Sequence, residues 1–238
     1  MAFTLRRMAV KDYTMKQFHS YRIICVTLFV LSTFPALADR YNNLNCDIEP
    51  GKPLTNDYGP YDFTNPAHAD KLPIVLGAHF TPQVEQLIAG TSGPIIGDIN
   101  YTLKAIPNYH RALAAMAKYQ RRERLTFKDR DRFYTADCYF RRAVYFAPGD
   151  VTSRMLYAMH LQLTGRSEHA AAQYQHALTQ APDYTELQYN YALLLVDLKR
   201  FDEAVELANK AYGKGFPLPG LKNKLAAHGL SVTPDTAN

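Results

Sequence analysis

Residues 136–182 read ADCYFRRAVYFAPGDVTSRMLYAMHLQLTGRSEHAAAQYQHALTQAP. One pattern occurs twice in this stretch: alanine, an aromatic residue four positions on, alanine seven on and proline twelve on. The first copy is Ala136, Phe140, Ala143 and Pro148, and the second is Ala170, Tyr174, Ala177 and Pro182. Each member recurs after 34 residues (170 − 136), and four coincident offsets indicate an internal structural repeat.

A 34-residue period built from these residue types resembles the tetratricopeptide repeat, a pair of antiparallel helices. The resemblance extends beyond the quoted stretch, because Asn190-Tyr191-Ala192 is similar to the family's first helix and Phe201-Asp202-Glu203-Ala204 to its turn into the second. It implies an all-α, right-handed solenoid of about three to four helix pairs.

The repeat domain is predicted to span residues 81–229. Its first pair is degenerate, with a helix from Thr81 that carries Val84, Leu87 and Ile88 on one face, followed by a helix over 95–105. The next pair follows Pro107 and contains about seven extra residues compared with the later repeats. The extra residues fall within the strongly charged segment 121–131, where we expect longer helices or a projecting loop.

The remaining helices follow the 34-residue register more closely. The predicted pairs are 151–164 with 167–180, where Gly165 forms the turn, and 185–198 with 201–212. A lone helix over 221–228 then caps the stack, with Lys222 and Lys224 on its outside. Residues 230–238 are predicted to form a flexible tail.

Residues 39–80 are predicted to form an irregular N-terminal strap. They contain prolines at 50, 53, 60, 66 and 73 and show no helical period. The segment also contains Tyr58, Tyr61 and Phe63, so it does not have the composition of a solvated linker. Two interpretations are open: the aromatic residues pack along the helices, or they form part of a recognition surface.

Residues 1–38 have the pattern of a cleaved signal peptide. The apolar run Ile23–Phe34 has 12 residues, follows five basic residues and precedes the small-x-small sequence Ala36-Leu37-Ala38. A membrane span needs about 20 apolar residues, so cleavage after Ala38 is favoured over an anchor. We therefore expect a periplasmic or secreted protein with no stable membrane span after cleavage.

Removal of this segment changes the charge. The whole chain carries 27 basic and 22 acidic residues, of which five basic residues and one acidic residue precede Asp39. The mature chain then has 22 basic and 21 acidic residues, a net charge of +1 in place of +5. A nucleic-acid partner is therefore not supported.

Cys46 and Cys138 are the two cysteines left after cleavage. Export to an oxidising compartment favours a disulfide between them, which would fasten the strap to the repeats. Closing a loop of this length contributes about 4 kcal/mol. Two buried thiols remain the alternative at this point.

The sequence offers no specific catalytic, cofactor or metal motif. His169 and His176 are seven residues apart on one helical face, but no cysteine or histidine ligand spacing accompanies them. Nucleophile-elbow, phosphate-loop and dinucleotide patterns are also missing from the sequence. We therefore predict binding without catalysis and without a cofactor.

The family resemblance implies a concave groove lined by the first helix of each pair. Mapped residue by residue, the candidate groove residues are Arg111, Lys118, Arg121 and Arg122, then Met155, Met159 and Gln162, then Glu186, Tyr189, Asn190, Leu193 and Asp197. The same mapping places Ala114, Thr152, Leu163 and Val196 on the groove. The alternative is that Met155, Met159 and Leu193 pack against the strap or the capping helix.

A groove that is basic at one end, apolar in the middle and acidic at the other suits an extended peptide or amphipathic helix. We therefore expect a periplasmic adaptor that binds a segment of another envelope protein. The family's carboxylate clamp is not expected, because Glu186 and Ala114 stand where lysines are required although Asn190 fits. The alternative function is a structural protein that self-associates through its repeats.

Overall fold

The structure is a computed structural model that describes residues 46–124 and 133–234. Within those two ranges the chain forms ten α-helices, one 3₁₀ turn at Pro66–His68 and no strand. The helices are α1 Leu72–His79, α2 Pro82–Glu85, α3 Ile95–Ala105, α4 His110–Glu123, α5 Ala136–Phe146, α6 Val151–Leu163, α7 Ser167–Gln180, α8 Thr185–Asp197, α9 Phe201–Gly213 and α10 Gly220–Ala226. The described part of the chain is therefore all-helical, as predicted.

Helices α6 to α9 form two consecutive hairpins, α6 with α7 and α8 with α9. Both hairpins turn in the same way. The amide of Gly165 donates to the carbonyl of Gln162 at 3.0 Å, and the amide of Lys199 donates to that of Val196 at 3.0 Å. Both turn residues adopt positive φ, 79° and 59° respectively. Glycine predicts the first turn, but lysine adopts the same left-handed conformation in the second.

Small and aromatic side chains hold these hairpins together. Ala158, Ala170 and Ala177 are fully buried where neighbouring helices meet, and small residues allow the backbones to approach closely. The ring of Tyr174 stacks on that of Tyr191, with centroids 5.3 Å apart. The repeated alanines and aromatics of the sequence are therefore the core of the fold.

The prediction that residues 39–80 are irregular throughout was wrong, because Leu72–His79 is helix α1. Pro73 lies in its first turn, where the missing amide hydrogen costs no helical hydrogen bond. Leu72 and Val75 anchor the helix in the apolar core. Residues 1–45, which include the predicted signal peptide and its cleavage site, lie outside the described residues, as do the inserted residues 125–132.

The helix predicted from Thr81 is a single turn, α2. Leu87 adopts a φ of 61°, which ends it. Val84 and Leu87 are buried, but Ile88 is 67% exposed, so the prediction that it shares one face with them was wrong. The following helix, α3, has the predicted bounds, and its Ile99 and Leu103 are fully buried.

The strap is fastened to the second helices. Cys46 and Cys138 form a disulfide that joins it to α5, which settles the alternative left open by the sequence. On the same helix, Tyr145 donates its hydroxyl hydrogen to the carbonyl of Lys52 at 2.7 Å. Further along the strap, the amide of Tyr61 donates to the carbonyl of Ala105 at the end of α3, at 2.8 Å.

Helix α10 packs on α8 and caps the described repeats. Leu221 and Leu225 are fully buried, while Lys222 is exposed as predicted. Lys224 is partly exposed, and its ammonium pairs with Asp197 on α8 at 2.6 Å. Of the predicted tail, Leu230 and Val232 pack partly against the core, and residues 235–238 lie outside the described residues. No helix in the described ranges is long and apolar enough to span a membrane.

Candidate partner-binding groove

The predicted groove residues lie on three neighbouring helices. Helix α4 contacts α6, and α6 contacts α8. The first helices of successive pairs thus form one face, which we call the first-helix face. The structure brings the basic, apolar and acidic groups of the sequence mapping together on that face.

Its basic end is formed by α4. The Arg111 guanidinium forms an ion pair with Glu85 of α2, with Nε to Oε1 at 2.6 Å. Arg122 donates to the carbonyl of Leu87 at 2.6 Å. These two arginines are therefore engaged with the segment that precedes α3. Lys118 and Arg121 are exposed and make no ion pair with any described residue.

The middle of the face is formed by α6. Met155 is only 2% exposed, with its sulfur 3.7 Å from Asn190 Nδ2, so it offers little surface to a partner. Met159 and Gln162 are partly exposed. Leu163 is 62% exposed and is the one large apolar residue of the mapping in the exposed class. The alternative prediction of internal packing therefore applies to Met155, although the neighbour that it contacts is α8.

The acidic end is formed by α8 and is partly covered. Glu186 is exposed, whereas Tyr189 is only 6% exposed and packs on Phe216 with ring centroids 4.3 Å apart. A side chain on Gly220 would come within 2.9 Å of the Tyr189 hydroxyl, so this close approach of α10 requires glycine. Tyr189 is thus packed beneath the capping helix α10.

Two of the remaining α8 residues contact the same cap. The carbonyl of Leu193 accepts a hydrogen bond from Lys224 at 3.3 Å, and Lys224 also pairs with Asp197. Asp197 additionally accepts a hydrogen bond from Gln162 at 3.4 Å, which links α6 to α8. Asn190 is partly exposed. The acidic end therefore carries less unpaired charge than the sequence mapping implies.

A buried polar cluster fixes the starts of α4 and α6. We call it the Asp150 cluster; its members are Asp62, Asn108, His110, Asp150 and Ser153. Asp150 caps α6 by accepting from the Ser153 amide at 3.1 Å, and it also accepts from Asn108 Nδ2 at 3.1 Å. His110 Nε2 lies 2.8 Å from the same carboxylate. Burial disfavours ionisation of Asp150, but the hydrogen bonds from His110 and Ser153 outweigh it and hold its pKa below the usual range.

Sequence reasoning missed the Asp150 cluster and the contribution of Lys224. The strap joins the cluster through Asp62, whose carboxylate accepts from Asn108 at 2.7 Å. The position of two residues in the sequence could have indicated the cluster. Asn108 and Asp150 each lie one or two residues after a register proline, just before a first helix. Residues of these types favour helix starts.

A metal site is not formed by the described residues, where no group of three or more His, Cys, Asp or Glu side chains converges. His169 and His176 are both exposed on α7, and no carboxylate or thiolate joins them to form a metal site in the described ranges. The first-helix face can thus bind through charge, hydrogen bonds and apolar contact.

Comparison with protein families matches residues 147–211 to the tetratricopeptide repeat model. Residues 147–211 carry tetratricopeptide repeats. The matched segment covers α6 to α9, where the turn geometry recurs after 34 residues (199 − 165). The degenerate helices that precede it lie outside the match.

Among solved structures, the chain is similar to the tetratricopeptide repeat protein YrrB, described as having an unusual peptide-binding site. The two share 16% identity with a TM-score of 0.35, over 68% of this chain and 91% of YrrB. It is also similar to MamA, at 16% identity and a TM-score of 0.44, over 68% of this chain and 98% of MamA. No curated protein sequence matches the chain.

Proposed function

We propose that this protein is a non-catalytic periplasmic adaptor that binds a segment of another envelope protein along the first-helix face. The observation that carries the proposal is the order of accessible groups on three adjacent helices: Lys118 and Arg121, then Leu163, then Glu186. Tetratricopeptide repeats commonly use this face as an interaction surface.

The arrangement defines the partner's chemistry. A complementary segment carries acidic groups where it meets α4, an apolar residue where it meets Leu163, and a basic group where it meets Glu186. Such a segment binds as an extended peptide or as an amphipathic helix. Met155 and Tyr189 support this surface from beneath and do not contact the partner.

The test is affinity capture from an envelope extract, using the mature protein as bait. Lys118→Glu and Leu163→Asp change the charge and the apolar centre of the face. The matched controls are Lys222→Glu and Leu218→Asp, since Lys222 is exposed and Leu218 is 53% exposed, both near the other end of the described chain. We expect a captured protein to be lost with the first two variants and kept with the controls. Equal capture by all four variants would contradict the proposal.

The export component of this proposal has its own measurement. We expect the protein recovered from the periplasmic fraction to begin at Asp39, as read by N-terminal sequencing. Recovery of the intact chain in the cytoplasmic fraction would remove export from the proposal and leave the binding face to be tested separately.

Self-association is the second candidate function. Ile74 of α1 and Ile88 are both largely exposed, which leaves apolar surface near the start of the helical region. Sedimentation of the purified mature protein separates the candidates. A concentration-dependent dimer lost on Ile74→Asp favours self-association, and a monomer at all concentrations excludes it.

A further inference from the structure

A cavity lies between the strap and helices α3 and α5, away from the first-helix face. Strap residues 47–56 form one wall of a cavity of about 350 Å³. The other wall is formed by Lys104 of α3, by Tyr134, which precedes α5, and by Arg142 of α5. The cavity shares no lining residue with the predicted groove, and its size is within the usual range for small-molecule sites.

Two cations of this cavity face one aromatic ring. Lys104 Nζ lies 5.5 Å from the centroid of the Tyr134 ring, and the guanidinium carbon of Arg142 lies 5.2 Å from it. Each distance is within the range of a cation–π contact. The ring therefore keeps two positive charges close together, an arrangement that a bound anion would stabilise.

Arg142 is buried without a carboxylate at ion-pair distance among the described residues. It is 3% exposed and donates from Nη1 to the carbonyl of Cys46 at 2.9 Å, while its Nε has no hydrogen-bond partner in the described part of the chain. Asp47 attracts it electrostatically from a longer range. Burying a guanidinium in this way is energetically unfavourable unless an anion compensates its charge.

The acidic side chains that line the cavity do not neutralise the positive charge of Lys104 and Arg142. Glu49 is paired with Lys52 at 2.5 Å, so Asp47 is the one lining carboxylate that forms no ion pair with a described residue. Lys104 and Arg142 are two cations outside any ion pair between described residues. The cavity thus has a net positive charge, and its polar walls suit a small hydrophilic ligand better than an apolar one.

We infer that this cavity binds a small oxyanion ligand, bearing a phosphate or a carboxylate group, between Lys104 and Arg142. The arginine offers planar donors and the lysine a compact positive charge, a combination suited to both groups. The disulfide holds the strap wall in place, because Cys46 both forms that bond and accepts the Arg142 hydrogen bond. The proposal is independent of partner binding on the first-helix face.

The test is a titration of the isotope-labelled, oxidised mature protein with inorganic phosphate and, separately, with succinate, followed by NMR at constant ionic strength. Chloride serves as the reference anion. We expect saturable shifts of the amides of residues 47–56 with phosphate, with succinate or with both, and none with chloride. A response to one anion alone identifies the group that the cavity prefers and supports the inference.

Lys104→Met is the decisive variant, because Lys104 makes no hydrogen bond or ion pair with a described residue and its removal leaves the strap contacts intact. We expect it to weaken binding by about tenfold or more, the effect of losing one charged hydrogen bond. Lys118→Met, an equal change on the first-helix face, should leave binding unchanged. The inference is overturned if neither anion gives a saturable shift, or if Lys104→Met binds as tightly as the unmodified protein.

Discussion

Helices α6 to α9 and the region from the strap to α5 lie in the same chain but are held together by different interactions. The two repeat hairpins pack through alanines and stacked tyrosines such as Tyr174 and Tyr191. The earlier region adds a disulfide to its apolar core, and the Asp150 cluster joins it to the start of α6. Where the repeat register is regular, side chains of the repeat suffice; where it is degenerate, cross-links from the strap supplement them.

The largest expected effect comes from the disulfide. The double substitution Cys46→Ser with Cys138→Ser should lower the free energy of unfolding by about 4 kcal/mol, because it releases a constraint on a long loop of the unfolded chain. Urea unfolding with hydrogen exchange measures both the size and the place of the loss. We expect protection to fall in the strap and α5 and to persist in α6 to α9. A uniform fall over all helices would contradict the contrast between the regions.

A slightly smaller loss is expected from the Asp150 cluster. Asp150→Ala removes the cap of α6 and leaves Asn108 and His110 without their shared acceptor, so the free energy of unfolding should fall by about 3 kcal/mol. Thermal or urea unfolding measures it. Asp183→Ala is the matched control in the regular region, since Asp183 is exposed and pairs only with Lys214 among described residues. Similar losses in the two variants would show that the cluster is not specific to the degenerate region.

Acid is expected to destabilise the fold through two buried carboxylates near the junction of the two regions, Asp150 and Asp137. Burial opposes ionisation of Asp137, yet hydrogen bonds from His160 and Arg166 hold its pKa below the usual range, as happens for Asp150. Because the pKa of each carboxyl is lower in the folded state, its ionisation stabilises the fold at pH values above the unfolded-state pKa of about 4. This stabilisation is lost as the pH falls through the lowered folded-state pKa.

We therefore expect the free energy of unfolding to decrease as the pH falls below about 4. Urea unfolding at a series of pH values measures this decrease. In Asp150→Asn the decrease should be shallower, because one of the responsible carboxylates is gone. An unchanged slope in that variant would assign the acid sensitivity to other groups.

The smallest changes in the free energy of unfolding are expected for substitutions of two buried tyrosines. The Tyr139 hydroxyl donates to Asn100 Oδ1 at 2.6 Å, so Tyr139→Phe should destabilise the fold by about 1 kcal/mol. The Tyr174 hydroxyl is buried without a hydrogen-bond partner in the described residues, so Tyr174→Phe should be neutral or stabilising by up to about 1 kcal/mol. Calorimetric unfolding of both variants checks the sign, and equal losses would contradict the difference between the polar and apolar regions.

The register of alanines, aromatics and prolines predicted the helices well because repeat packing is local. Bounds such as 95–105 and 167–180 agree with α3 and α7. Prediction failed where a single residue adopted an uncommon conformation or role. Pro73 begins a helix that its presence had argued against, and Leu87 ends one early. Such choices depend on burial partners distant in sequence.

The candidate site divides in the same way. Helix membership and charge order followed from the mapping, because first-helix positions are fixed by the repeat. Accessibility did not: Tyr189 is covered by Phe216 and the cap, and Arg111 is paired with Glu85. The positively charged cavity at Lys104 and Arg142 had no signal in the sequence, since its walls come from separate segments.

The sequence by itself determined the helical repeat and the order of charges along the first helices, because both depend on residues close in the chain. It also predicted Cys138 as the partner of Cys46, on the expectation that Cys25 leaves with the signal peptide. Only the tertiary structure decided which groove residues are accessible, that Lys224 pairs with Asp197, and that a strap brings Arg142 and Lys104 to one cavity. These features depend on contacts between distant segments, whose geometry a local pattern of residue types does not specify.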